Sequence, residues 1–313
     1  MKKIIITRVI QVLMLVLLIS TVSFIMMQLL PGDPALKIAA GRYGPDGMTA
    51  EIAQSVREEL KLDNSVFQLY LNSLYNLLHF DLGYSLISGE KVIHELKTQM
   101  GYSLYLAFIS FILSLIMAVP LGIYSGARDN GIVDKIGFLL SIFFRAIPPF
   151  ILGLLLMYLF SIYFRILPPA GFENWKYLVL PAFTLALGLA AVSNRLIKES
   201  MLEVSNSSYF TYGKYKGLSD LALVNRHGIR NASISVIAYL GLQSIYLIEG
   251  VVIVESIYAF PGIGHALVHA VIARDIPMIQ GTVLVMGLFF ILINFFTDMI
   301  TSILDSRLRI KHA

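Results

Sequence analysis

The chain has 313 residues, of which 57% are hydrophobic and 14% charged, and its mean hydropathy is +0.76. A soluble domain carries roughly 25% charged residues, so there is too little charge here to cover a globule. Soluble enzymes, disulfide scaffolds and disordered chains are excluded, and an all-α integral membrane protein is left. Cysteine is absent and the net charge is +4. Disulfides, thiolate catalysis and Cys-ligated metals are thereby removed, and nothing argues for nucleic acid.

In chain order, stretches with almost no charge predict six spanning helices. They are 9–32, 98–127, 136–164 (with Arg145), 177–194, 231–254 (with Glu249) and 276–297. Each has about the 20 apolar residues needed to cross hydrocarbon. The ~10-residue alternation of barrel strands is not seen. The first stretch follows Lys2, Lys3 and Arg8 like a signal peptide. It exceeds the 7–15 residues of a signal core and no A-x-A site closes it, so 1–30 reads as a retained N-terminal transmembrane helix. Lys and Arg set the orientation. With the N-terminus inside, the inner segments hold Lys2, Lys3, Arg8, Arg128, Lys135, Arg195, Lys198, Lys214, Lys216, Arg226, Arg230, Arg307, Arg309 and Lys311. The short outer loops hold Arg165, Lys176 and Arg274. Both termini are expected in the cytoplasm.

Two segments stand apart. Residues 31–97 form an extracytoplasmic segment with turn chemistry at Pro31-Gly32-Asp33-Pro34 and from Gly41 to Gly47. An amphipathic helix over 51–62 follows, with Ile52, Val56, Leu60 and Leu62 near helical spacing. The remainder, 98–313, reads as a five-helix core that carries a basic inner segment at about 195–230. A loop that long is usually functional. Here a helix, a turn marked by Gly217 and a second helix capped by Ser219 or Asp220 are expected. Tyr209, Phe210, Tyr212 and Tyr215 would give it an aromatic face. Such a face needs either a docking partner or the lipid surface.

That segment resembles the EAA loop of permease subunits in the dipeptide, oligopeptide and nickel ABC importer family. The matching positions are Tyr209, Lys216, Gly217, Leu218, Ser219, His227, Arg230, Asn231 and Ala232. The rest of the chain is similar to the family in order. Leu30-Pro31-Gly32-Asp33-Pro34-Ala35, Asp81-Leu82-Gly83-Tyr84-Ser85, Pro120-Leu121-Gly122 and Leu180-Pro181-Ala182 match. So do Glu255 with Phe260-Pro261-Gly262-Ile263-Gly264, Arg274-Asp275 with Pro277 and Gln280, and then Asn294, Asp298 and Asp305. Departures are Gly213 and Tyr215 for alanines of the loop, Ser235 for a proline, and Asp305-Ser306-Arg307 for Asp-Pro-Arg. Arg145 and Glu249 stand where the family pattern is apolar or small.

The resemblance implies a MetI-like permease with six transmembrane helices in a bacterial plasma (inner) membrane, half of a translocation pathway. It would pair with a homologous second permease, dock two cytoplasmic ATPase subunits and take substrate from an extracytoplasmic binding protein. Tyr209, Lys216, Gly217, Leu218, Ser219 and His227 would form the ATPase-docking element. Glu249, Glu255 and Asp298 are candidates for the pathway. ATP and Mg would be bound by the partner subunit, with no cofactor in this chain.

Enzymatic readings fail on their motifs. No G-x-x-x-x-G-K-[ST] or H-E-x-x-H occurs, and Gly101-Tyr102-Ser103 does not complete a G-x-S-x-G elbow. His265 and His269 share a helix face but show no third ligand, so a solvated face is the expectation. The alternatives are a self-contained secondary transporter or channel, which would need ion-coupling charges in its spans, and an intramembrane hydrolase. As to substrate, Leu78-His79-Phe80-Asp81-Leu82-Gly83 and Gly217-Leu218-Ser219-Asp220 with Arg226-His227 look closer to nickel members than to peptide ones.

Overall fold

The computed structural model describes residues 2–29, 32–44, 49–59, 66–79 and 81–304. Among these the chain is helical, with one isolated antiparallel bridge between Tyr84 and Lys91. The helices are α1 (Lys2–Leu29), α2 (Pro34–Tyr43), α3 (Ala50–Glu59), α4 (Val66–Leu78), α5 (Val92–Ala127), α6 (Ile132–Ala146) and α7 (Pro149–Met157). They continue with α8 (Lys176–Ser205), α9 (Ser208–Tyr215), α10 (Asp220–Leu223), α11 (Ile229–Ile257), α12 (Ile263–Ala273) and α13 (Ile276–Leu304). Among the described residues α5, α8 and α13 are long and apolar enough to cross a membrane. α1 and α11 have the length of a span, at 28 and 29 residues.

The third expected span is not one straight helix. α6 and α7, the latter extended by a π turn over Tyr158–Tyr163, meet at 101°. The cause is Pro148-Pro149. Ile147 is driven to extended backbone (φ −86°, ψ 121°), as a residue before proline must be. Pro148 follows at ψ 142°, and Pro149 restarts the helix at its first position, where a missing N–H costs nothing.

The helices fall into two compact units, 1–103 with 261–292, and 104–260 with 293–313. In the first, the Asp33 carboxylate caps α2 by accepting the Ala35 N–H at 2.9 Å. It also pairs with Arg57 of α3 at 2.6 Å. Arg42 meets Glu59 at 2.8 Å, and that hydrogen bond raises the guanidinium pKa further above its usual value. Between α2 and α3 lies a small core of Ala35, Ile38, Ala39, Ala53 and Val56. The amphipathic reading of 51–62 holds for Ile52 and Val56, while Leu60 and Leu62 lie outside the described residues. Gly41, expected in a turn, sits inside α2, which ends at Gly44 (φ +81°).

Two motifs far apart in sequence meet in this unit. The Asp275 carboxylate accepts the hydroxyl of Ser85 and, at 3.1 Å, the N–H of Leu86. It also accepts the Met278 N–H at 3.3 Å at the start of α13. Arg274, at φ +58°, donates to the Gly32 carbonyl at 3.0 Å. Ser103, excluded above as a nucleophile, accepts the Ile263 N–H at 2.8 Å at the start of α12.

α8 is the axis of the second unit. Gly122 and Gly126 of α5 let the two helices touch backbone to backbone. A Cβ at Gly122 would lie 2.9 Å from the Asn194 carbonyl oxygen, and one at Gly126 would lie 2.6 Å from that of Lys198. Small residues four apart are a common device for close packing in membranes. α6 is tied to α8 by Lys198, whose Nζ meets Asp134 at 2.7 Å and Asp129 at 3.0 Å. Asn194 donates to Ser141 Oγ at 3.2 Å. α11 is tied by Gln243, which accepts from Ser193 Oγ and donates to the Leu189 carbonyl at 3.1 Å. Tyr258 donates to the Gly153 carbonyl of α7 at 2.9 Å and bonds Thr184 of α8 at 3.0 Å.

These contacts predict that Gly126→Leu destabilises the protein by about 1–3 kcal/mol, as overpacking does. Gly101→Ala has open space around its new Cβ and should be neutral or stabilising by up to ~1 kcal/mol. Thermal unfolding of the detergent-solubilised protein distinguishes the two.

Candidate functional site

The basic inner segment is shorter than its charge pattern implied, because α8 runs unbroken to Ser205. The excursion proper is 206–228. α9 follows α8 after two residues. Gly217 ends its turn at φ +79°, with its N–H donating to the Lys214 carbonyl at 2.9 Å and the Leu218 N–H to that of Gly213 at 3.3 Å. This left-handed closure is the conformation that glycine adopts at least cost. α10 opens with Ser219 Oγ accepting the Ala222 N–H at 3.4 Å. A π turn, Val224–Gly228, then joins it to α11.

The expected aromatic face divides in two. Phe210 is 3% exposed and forms a core with Met201, Val204, Leu223 and Ala232. It anchors α9 to the end of α8. Tyr209, Tyr212 and Tyr215 face outward, Tyr215 at 86% exposure. Lys216 lies over the Tyr212 ring at 4.8 Å, and Lys214 lies 5.8 Å from the Phe210 ring centroid. Leu218 and Ser219 are exposed beside them. His227 is half-buried in the π turn, and its carbonyl accepts from Asn231 Nδ2 at 2.8 Å. The result is an anchored helix–turn–helix whose outer surface is tyrosine, lysine and leucine. Periodicity alone could not separate Phe210 from its tyrosine neighbours, since Leu223 and Ala232 reach it only through the fold.

A second feature lies in the same unit. The α6–α7 break, α8 from Thr184 to Val192 and α11 from Tyr239 to Ile253 enclose a cavity of about 580 Å³. Its lining is mainly apolar and includes both Arg145 and Glu249, which are exposed and make no ion pair with each other. The other two pathway candidates are elsewhere. Glu255 is wholly buried near the end of α11, where its carbonyl accepts the Phe260 N–H at 2.9 Å. Asp298 is exposed on α13 and does not line the cavity. The rings of His265 and His269 pack edge to face at 4.4 Å. Burial, with the neighbouring His269, holds His265 below the usual imidazole pKa. Among the described residues no group of three His, Asp or Glu is placed to hold a metal.

Comparison with known proteins matches residues 118–310 to the family described as binding-protein-dependent transport system inner membrane component, and residues 1–107 to its N-terminal counterpart. The glutathione transport system permease protein GsiC of Pectobacterium atrosepticum is 35% identical over 94% of this chain and 95% of its own length. A putative peptide transport system permease protein of Brucella abortus is 33% identical over 99% of both chains. Among solved structures, an inward-facing form of the MetNI methionine ABC transporter is similar in fold. It has a TM-score of 0.56 and 18% identity over 67% of this chain and 96% of that one.

The geometry at Gly217 gives a local prediction. A β-branched residue there must adopt a left-handed conformation costing roughly 1–2 kcal/mol. Gly217→Val should therefore loosen 206–228, seen as faster limited proteolysis of that segment, with the rest of the chain still protected.

Proposed function

This chain belongs to the binding-protein-dependent transport system inner membrane component family and is a permease subunit of an ABC importer, and we propose that it forms half of an import pathway for glutathione-sized or short peptides. Six spans, α1, α5, α6 with α7, α8, α11 and α13, cross the inner membrane with both termini cytoplasmic. A homologous second permease supplies the other half. Two ATPase subunits bind and hydrolyse Mg-ATP, and an extracytoplasmic binding protein delivers the substrate.

The observation that carries this reading is the anchored excursion after α8. Phe210 and Leu223 fix it to the core while Tyr209, Tyr212, Tyr215, Lys216 and Leu218 are presented outward. An exposed aromatic and aliphatic surface on a short, rigid helix pair suits a protein groove. Only two residues separate α9 from α8, and α8 walls the cavity. A push on the excursion is thus delivered to the pathway as rigid-body motion of α8. The absence of a Walker motif in the sequence fits an ATPase on another chain.

Peptides are preferred to nickel because relatives that match over nearly the full chain are named for glutathione and peptide transport. The motif likenesses to nickel permeases are confined to short stretches. Titration of the cognate binding protein decides between them. Glutathione or a short peptide should bind, and binding of nickel alone would reverse the assignment.

Docking has its own test. Tyr212→Ala with Leu218→Asp should abolish copurification of the ATPase and ATP-driven uptake while membrane insertion persists. Retention of the ATPase at the wild-type level would place docking elsewhere. Expressed without a second permease, the chain should be inactive, and a transport-competent homodimer would overturn the pairing.

A further inference from the structure

Arg145 and Glu249 are two charges the fold does not consume. Both line the cavity of about 580 Å³, and among the described residues neither is engaged in an ion pair or hydrogen bond. A charge on the lipid face of a spanning helix costs ~2.5–3.5 kcal/mol even on insertion scales. The cavity mouth therefore faces water or the second permease. Gln243, by contrast, is occupied in tying α11 to α8.

The two charges come from different walls of the cavity, Arg145 from the α6–α7 break and Glu249 from α11. The intervening wall offers tyrosine faces (Tyr239, Tyr246) and aliphatic surface, which accept varied side chains without selecting among them. The volume falls within the ~300–1,000 Å³ of small-ligand sites.

We propose that this cavity is a subsite for short zwitterionic peptides, in which the Glu249 carboxylate holds the free α-ammonium and the Arg145 guanidinium holds the terminal carboxylate. This rests on the reading of the chain as a peptide permease. The guanidinium offers a carboxylate two parallel N–H donors. Both contacts are charge-assisted in a mainly apolar surround, where each is worth roughly ten- to a hundredfold in affinity.

The test uses the complete permease–ATPase complex in nanodiscs without binding protein, with radiolabelled tetra-alanine, N-acetyl-tetra-alanine and tetra-alanine amide as probes. Tetra-alanine should bind at least tenfold tighter than either blocked form. Glu249→Gln should weaken tetra-alanine about tenfold and leave the N-acetyl form unchanged. Arg145→Met should do the same with the amide as the unaffected probe. Glu249→Asp and Arg145→Lys should stay within a few-fold of wild type. No measurable wild-type binding, equal binding of free and blocked peptides, or a uniform loss of all three probes in both variants would overturn the subsite. In a parallel assay with binding protein, import of peptide by the wild type would leave the permease reading standing after any such result. Failure to import peptide or glutathione would remove that reading as well.

Discussion

Inside a bilayer the hydrophobic effect gives helices no reason to prefer each other to lipid, so close backbone approach and polar contacts must hold them together. In the second unit both converge on α8. Gly122 and Gly126 bring α5 within contact of its backbone at Asn194 and Lys198. Lys198 then holds Asp134 and Asp129, and Ser193 with the Leu189 carbonyl holds Gln243 of α11. A larger side chain at either glycine would displace α8, and with it the residues that fix α6 and α11. Burying Lys198 is tolerable because two carboxylates receive it. Without them its ammonium would stand buried and uncompensated, which is strongly destabilising.

The proline pair at 148–149 acts against this background. In water a broken helix exposes backbone groups to solvent at little cost. In hydrocarbon such a break persists only where it is buried in protein or lines a polar space. The break here lines the cavity. The same two prolines thus turn the chain through 101° and create one wall of a space large enough for a small ligand. Arg145, four residues before Pro149, is carried to that wall, where a straight helix would have set it at a fixed depth in the span.

The excursion between α8 and α11 shows a comparable division of labour. Its inner side is apolar and tight, with Phe210 and Leu223 fully packed. Its outer side is aromatic and basic. Short helices of eight and four residues are not stable alone, so their order comes from that inner core. A surface held this way is fixed to the end of α8 through Phe210 and Leu223.

The sequence by itself determined the class of the protein, its family and the position of a helix–turn–helix excursion around Gly217. Hydropathy is additive over local windows, and ordered motifs such as Lys216-Gly217-Leu218-Ser219 are local as well. Gly217 was legible because only one backbone conformation there favours glycine over every other residue. The tertiary structure alone decided which neighbours a side chain meets. It placed Phe210 inward and Tyr209 outward, buried Glu255, and brought Asp275 to Ser85 across 190 positions of chain. It also set Arg145 and Glu249 around one cavity instead of in a pair. Those outcomes depend on helix crossings and on a bend whose angle arises from packing around Pro148 and Pro149. Neither is encoded in any window of a single helix, because each is fixed by what the facing helix presents.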